Sequence, residues 1–558
     1  MTKKNIITAI LAIILTAGST SAFACTNFLI GKKASIDGST IISYSADSYW
    51  LYGSLYFYPR ADYRNGTKLK IYDWDSGEYR GEIDQIPHTY QVVGNMNEHQ
   101  LAIAETTFGG RPELENKEGI IDYGSLIYIA LQRAKTAREA IKVMTDLVEK
   151  YGYGSSGESF SIADPNEVWV MELIGKGEGR KGAVWVAIRI PDDCVSAHAN
   201  QARITKIPFK DKDNCIYSKD VVTFARSKGY FNGKDEDFSF SDTYNPLDFS
   251  GLRACESRVW SFFRQVNPAM DKFYSYINGE TRERMPLYIK PTQQVSVDDV
   301  KKYMRDHYEG TPLDMTTGAG SGDCGTPFRA SPLTFKVDGV EYFHERPVAT
   351  QQTGFTFVAQ MRGWLPDPIG GILWFGVDDA SMCMYVPMYC SINTVPLCFD
   401  SEESNIFEFS WNSAFWVNNW VASMVYNRYS EMMPELKALQ KKWDDSFKYS
   451  VMSTDALAKD IYATNPEDVS EFLTQYSVNQ AQRVLEDWKK LGTYFMVKYL
   501  DGVTKGQDEN GNFLQNSRHV PQKVIRPGYT EEYSRKVFVQ PDPERFRYRT
   551  QEEMDKRW

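Results

Sequence analysis

The residue with the most chemistry to offer in this 558-residue chain is Cys25. It follows Ala22-Phe23-Ala24, an A-x-A pattern that closes a short leader: Lys3 and Lys4, an apolar run from Ile6 to Ala17, then a small, weakly polar stretch from Ser19 to Ala24. That order reads as a secretory signal with its cleavage site. Cleavage after Ala24 would make Cys25 the new N-terminus. A thiol needs a base to become a good nucleophile, and an N-terminal cysteine carries one on its own backbone. The ordinary pKa of an α-amine is about 7.7–8, so part of it is neutral near pH 7 and can take the thiol proton, directly or through a water. Two other readings stand beside this one. A lipoprotein signal would alkylate the sulfur and end its chemistry, although such signals usually place Leu three residues before the cysteine, where this chain has Ala22. Otherwise Cys25 is simply the first structural cysteine of a secreted chain.

The residues after Cys25 favour the nucleophile. Phe28 to Ile30 reads as a short strand, Asp37-Gly38 as a turn, and Ser39 to Ser43 as the returning strand of a β-hairpin. A lipoprotein begins with a loose tether, whereas this chain enters a sheet at once and would hold the sulfur at a strand end. Asp47 follows the second strand and is placed to lie back beside Cys25.

The wider pattern is that of an enzyme-sized, mixed fold. There are 63 Lys+Arg against 73 Asp+Glu, a formal net charge of −10, and loss of the leader removes two more positive charges. An acidic chain without a basic block is a poor partner for nucleic acid. The 42% hydrophobic and 14% aromatic content excludes wholesale disorder. The leader's apolar run is too short to span a bilayer, and no later segment reaches about 18 continuous apolar residues, so no membrane span is expected. Apolar residues at helical spacing predict a helix over Ser125–Tyr151, paired strands over Val168–Leu173 and Ala183–Ile190, and a polar, turn-rich surface insertion over 208–250. Helical patterns return over Ser410–Trp443 and Pro466–Tyr499, and a polar, Pro-punctuated tail follows Asp501.

The opening C-T-N-F-L-I-G-K-K-A-S-I-D-G-S-T resembles the dipeptidase family of N-terminal-nucleophile cysteine hydrolases (peptidase family C69), related to penicillin V acylase and bile salt hydrolase. Similar stretches follow in the same order: Asn97-Glu98-His99, Gly157 to Asp164, Glu167 to Glu172, Arg189 to Asp193, Ala199 to Ile204, Arg258-Val259-Trp260 and Gly363 to Gly376. The resemblance implies an α+β fold, specifically an αββα sandwich, that exposes its own cysteine and cleaves short peptides without metal or cofactor. It implies Cys25 as nucleophile, Asp47 as the acidic contact of its amine, Asn200 on the oxyanion side and Arg258 as its support. Two positions depart from the pattern: Tyr44 stands where many relatives have Arg, and Thr107 where the acylase branch has an oxyanion-hole Asn. The expected organisation is a signal peptide over 1–24, a hydrolase core over 25–400, a helical extension over 401–500 and a polar arm over 501–558.

Other chemistry is thinly supported. None of the eight cysteines forms C-x-x-C, the six histidines are scattered, and Gly318–Gly325 lacks the strand-to-helix setting of a phosphate loop. His198 stands two residues from Asn200 and reads more readily as a packed histidine than as a site residue. Glu105, Glu158 and Glu172 are candidates to grip a substrate amine, or else ordinary surface charges. The leading expectation is an exported dipeptidase acting on dipeptides or short peptides. An amidase of N-acyl amino acids and a lipid-anchored binding protein are the alternatives.

Overall fold

The computed structural model describes residues 25–556, so the leader expected over 1–24 lies outside the described residues. By internal packing the chain divides into two units. The first comprises the described residues up to Asp306, Glu345–Asn419 and Lys441–Leu485; the second comprises His307–His344, Trp420–Gln440 and the residues from Glu486 onward.

The first unit is built on strands β1 (Asn27–Ile30), β2 (Thr40–Asp47), β3 (Ala102–Gly109), β4 (Gly157–Ala163), β5 (Val168–Gly175), β6 (Ala183–Ile190), β7 (Val195–His198), β8 (Thr353–Met361), β9 (Gly371–Val377) and β10 (Val386–Tyr389). Its principal helices are α1 (Tyr123–Arg133), α2 (Ala137–Tyr151) and α3 (Ser257–Val266). One antiparallel sheet runs in the order Tyr288–Ile289, β7, β1, β2, β8, β9, β10. The other runs Cys215–Tyr217, β6, β5, β4, β3, Met96–Asn97, Val92–Val93, Phe57–Tyr58. β2 touches both β3 and β4, and β1 touches β3, so the sheets pack on one another. On the outer side of the second sheet lie α1 and α2, and β7 of the first sheet carries α3. The α+β class expected from the sequence is therefore present.

Local chemistry explains the hairpin that presents Cys25. β1 and β2 pair with Leu29 opposite Ile42 and Ile30 opposite Ile41. Their turn is fixed by Asp37, whose Oδ1 accepts from the Ser39 N–H at 3.0 Å and the Ser39 hydroxyl at 2.6 Å. Gly38 supplies the left-handed conformation, φ +82°, that side-chain-bearing residues rarely adopt. At Gly31 a Cβ would lie 2.5 Å from the Asp192 carbonyl, so glycine is what lets this hairpin approach the loop after β6. Phe28 is fully buried and stacks on Phe262 of α3, ring centroids 4.2 Å apart.

Three expectations are refined. The helix expected over Ser125–Tyr151 is two helices, because the Thr136 hydroxyl accepts from the Glu139 N–H and starts α2 afresh after Arg133. The 208–250 stretch is more than a surface insertion: Cys215–Tyr217 pairs with β6, and Phe240 and Tyr244 are fully buried. In the last third, helices cover Ala414–Asn427, Tyr429–Thr464 and Val469–Lys498, so the second runs well beyond Trp443. Its continuation is polar in composition but keeps Phe447, Val451 and Ala458 on one buried stripe. Within the second unit, Arg428 donates to the carbonyls of Tyr499 and Val503, each at 3.2 Å, and Lys498 pairs with Glu435 at 2.8 Å.

Because Phe28 fills a closed site between β1 and α3, Phe28→Ala is expected to cost about 3–5 kcal/mol. Ile36→Ala, at a position 65% exposed, is expected to cost under about 0.5 kcal/mol. Comparison of the thermal unfolding midpoints of the two variants checks this; equal midpoints would show that the Phe28 ring does not anchor the hairpin.

Candidate active site

Cys25 is 4% exposed and sits immediately before β1, where Thr26 and Ser45 exchange backbone hydrogen bonds across to β2. Its sulfur lies 3.6 Å from the Tyr44 hydroxyl and 3.7 Å from Glu105 Oε1. Burial raises the thiol pKa well above its ordinary value, and the negative charges of Glu105 and Asp47 raise it further. The group is therefore favoured as the thiol.

One side chain gathers the elements around this cysteine. Arg258, 1% exposed at the start of α3, donates from Nη1 to the Cys25 carbonyl at 2.6 Å and to Thr26 Oγ1 at 2.8 Å. From Nη2 it donates to the Ala199 carbonyl at 3.2 Å and to Asn200 Oδ1 at 2.9 Å, and from Nε to the Ala254 carbonyl at 2.6 Å. The rigid guanidinium fork thus sets the cysteine's main chain and the Asn200 amide in one frame. Asn200 adopts φ +59°, a left-handed conformation that asparagine tolerates, and donates from Nδ2 to the Thr107 carbonyl at 2.8 Å. An amide nitrogen has two N–H groups, so a second donor remains for a developing oxyanion.

The Asn200 loop is tied from below. Glu172 accepts from the backbone N–H groups of Arg203 and Ile204, and Arg203 forms a fully buried ion pair with Glu256 at 2.8 Å. Burial pushes the Glu172 carboxyl up to about 7 against the pull of those N–H groups. Glu172 is therefore a loop anchor, and it does not stand at the cysteine. His198 is a packed histidine between the sheets, with Nδ1 2.7 Å from Thr106 Oγ1 and Nε2 2.8 Å from Ser161 Oγ. Burial lowers it to about 3, which keeps the ring neutral near pH 7.

Asp47 lies beside Cys25 as the hairpin suggested, but its carboxylate is already engaged. It pairs with Arg346 at 2.5 Å and accepts from Thr353 Oγ1 at 2.6 Å and Ser45 Oγ at 3.2 Å. Burial raises its pKa, opposed by Arg346 and Thr353. Arg346 was invisible to sequence reasoning, since it lies 299 residues away. Arg346, on the approach to β8, thus brings a cation to Asp47.

Tyr44 and Glu105 form a second arm. The Tyr44 hydroxyl donates to Glu105 Oε1 at 2.6 Å. Glu105 and Thr107 share one face of β3, and Glu158 stands opposite Thr107, so the two carboxyls are diagonal neighbours. The Thr107 hydroxyl donates to Glu158 at 2.9 Å, and both glutamates are 1% exposed. Burial raises both carboxyls, Glu158 the more strongly because Glu105 also faces it. The Asn27 amide, oriented to match both of its ends, bonds the backbone N–H and C=O of Glu105 and so locks this glutamate to the strand that follows Cys25.

A pocket opens at the cysteine, lined by Tyr44, Asp47, Ser48, Leu51, Tyr56, Tyr58, Trp74, Asp75, Asn95, Tyr123, Tyr128 and Phe355 among others. Of the residues singled out from the sequence, the structure brings together Cys25, Asp47, Asn200, Arg258, Glu105 and Glu158, and sets Glu172 and His198 to structural work. Among the described residues no group of three or more His, Cys, Asp or Glu is arranged to hold a metal ion, and none of the described cysteines forms a disulfide.

Comparison with known proteins gives this geometry a setting. The model of peptidase family C69 matches residues 24–60 and 54–442. A probable dipeptidase of Latilactobacillus sakei is 25% identical over 472 residues, covering 81% of this chain and 90% of that protein. Dipeptidase A of Lactobacillus helveticus is 25% identical over 421 residues, 72% of this chain and 81% of its own. Probable dipeptidase B of Streptococcus pyogenes serotype M1 is 24% identical over 518 residues, 88% and 96% respectively.

The carboxyl pair makes a sign-specific prediction. A native Glu158 that keeps its proton while the unfolded chain releases it near 4.5 stabilises the fold at low pH, and that contribution is lost as pH rises toward the folded value. Glu158→Gln keeps the hydrogen bonds without the titration. The melting temperature of the variant minus that of the wild type is expected to grow as pH rises from about 5 to 8; a difference that stays constant across that range refutes the upward shift of Glu158.

Proposed function

The chain belongs to peptidase family C69, and on that premise we propose that it is an exported cysteine dipeptidase whose nucleophile is laid bare by removal of residues 1–24. The observation that carries the reading is the Arg258 fork, which holds the Cys25 carbonyl and the Asn200 amide at 2.6 and 2.9 Å. It ties the main chain of Cys25 and the side chain of Asn200 to one guanidinium. The two packed antiparallel sheets with helices on them support an N-terminal-nucleophile αββα sandwich. Residues 25–400 would then form its core, 401–500 a helical extension and 501–558 a polar arm.

In this reading the freed α-amine of Cys25 is the base. It takes the thiol proton as the sulfur attacks the carbonyl carbon of a short peptide, and the new oxyanion is met by Asn200 Nδ2. Collapse breaks the C–N bond, the ammonium returns the proton to the leaving amine, and a thioester remains on Cys25. The same amine then takes a proton from water, whose oxygen attacks the thioester carbon; collapse breaks the C–S bond, the ammonium returns its proton to the departing sulfur, and the acid product leaves with thiol and amine restored. The pairing of Asp47 with Arg346 supports this order of events. A carboxylate already balanced by a guanidinium can orient the amine without holding it permanently protonated. The raised thiol pKa points the same way, because a sulfur that resists ionisation needs a base that moves with the attack. His198, neutral but occupied on both nitrogens, is not that base.

Three measurements bear on the proposal. N-terminal sequencing of the mature protein is expected to begin at Cys25, and an intact mass showing a retained leader or a lipid adduct removes the mechanism. Dipeptide hydrolysis is expected to vanish in Cys25→Ala and to fall by about 10²–10³ in kcat for Asn200→Ala, the usual cost of an oxyanion donor. The pH profile of kcat/KM is expected to rise through about 7.7–8 as the amine loses its proton. Activity that falls across that window, or that favours N-acylated over free dipeptides, overturns the assignment in favour of other chemistry.

A further inference from the structure

We propose that the pocket beside Cys25 is an ammonium-reading subsite, in which Asp75 binds the free α-amine of the residue whose carbonyl is attacked and the aromatic walls take its side chain. This deepens the dipeptidase reading and rests on it for the identity of the amine. Neither Asp75 nor the walls had a role in the sequence-based expectations, which looked for amine contacts among glutamates.

The turn that carries Asp75 is held by other residues. Asp73 accepts from the Ser76 N–H at 3.0 Å and the Ser76 hydroxyl at 2.9 Å, pairs with Arg80 at 3.5 Å, and Gly77 takes φ +70° to close the bend. Asp75 is spared for another purpose. It lines the same pocket as Cys25, and the Tyr123 hydroxyl donates to its Oδ1 at 2.7 Å. Among the described residues it has no salt-bridge partner. The charges that act on it are those of Asp73 and Asp122, both negative. Its own charge reaches Glu105, which stands 3.7 Å from the nucleophile's sulfur. Asp75 thus keeps a charge that no cation balances among the described residues, whereas Asp47 pairs with Arg346 and Asp73 with Arg80.

A second observation also calls for a ligand. Ser48 lines the same pocket, is 3% exposed, and its hydroxyl has no hydrogen-bond partner among the described residues. A buried hydroxyl left unmade costs about 1–3 kcal/mol, and a bound ammonium or peptide group would complete it. The walls suit the same guest. Tyr58 stacks on Tyr128 with centroids 5.0 Å apart, and Tyr56 meets Trp74 edge-on at 4.9 Å. Rings fixed against one another keep their faces available to a cation and to an apolar side chain without reordering. An N-acylated substrate would bring a neutral amide, with its carbonyl oxygen, toward Asp75 in place of the cation. Selection against capped substrates is therefore built into the same contact that favours free ones.

The test separates this subsite from catalysis. In full-length protein carrying Cys25→Ala, phenylalanine amide and N-acetyl-phenylalanine amide are titrated by calorimetry. Phenylalanine amide is expected to bind about tenfold more tightly or better, the worth of one charged hydrogen bond. Asp75→Asn in that background is expected to abolish the preference by weakening the free amine alone, and Tyr123→Phe, which keeps the ring, to reduce it. Equal affinities for the two ligands, or a preference that survives Asp75→Asn in folded protein, overturns the proposal. Should the wild type fail to cleave dipeptides while the binding preference stands, the dipeptidase reading falls and the ammonium subsite survives. Should cleavage proceed equally on free and capped dipeptides, the subsite falls and the nucleophile stands.

Discussion

A guanidinium with all its nitrogens satisfied from three different elements is the constraint from which the site is assembled. Arg258 reaches back to its own helix through Ala254, across to the Asn200 loop, and forward to the Cys25 carbonyl and Thr26. A buried charge of this kind is costly unless every donor is met. Those partners are therefore held to within hydrogen-bond tolerance, and the main chain of Cys25, the Asn200 amide and the start of β1 are positioned together. The secondary ties have the same logic. Arg203 and Glu256 close a second buried pair beneath the loop, and Arg346 closes a third against Asp47.

The acid side of the pocket sets the character of the nucleophile. Glu105 and Asp47 both oppose ionisation of Cys25, and burial does more than either. The side chains around the sulfur thus favour the thiol over the thiolate, and in the proposed mechanism the removal of its proton falls to the α-amine. Tyr44 fits that logic: it brings a hydroxyl and the Glu105 carboxylate to the sulfur.

How much of this was legible depended on distance along the chain. The β1–β2 hairpin was readable because an Asp-Gly turn and alternating apolar residues act locally, and Asp47 followed from it. Asn200 and Arg258 were reachable only through resemblance, since neither a loop asparagine nor a helix arginine announces its partner. Arg346, Asp75 and the Glu105–Glu158 pairing were out of reach, because each depends on register between segments far apart in sequence. The break between α1 and α2 was locally encoded by Thr136 and Glu139 but hidden under an apolar spacing that continued across it. The long helix Tyr429–Thr464 was cut short in the sequence reading because its second half is polar except for one narrow stripe.

The resting state of Cys25 has a bearing on durability. Peroxides and alkylating agents attack thiolates far faster than thiols. A sulfur held protonated between carboxylates, and almost sealed from solvent, is a slow target for both. In an oxidising surrounding such a residue would outlast the low-pKa cysteines on which other thiol enzymes rely, with reactivity unlocked only while a guest fills the cavity and the proton has somewhere to go.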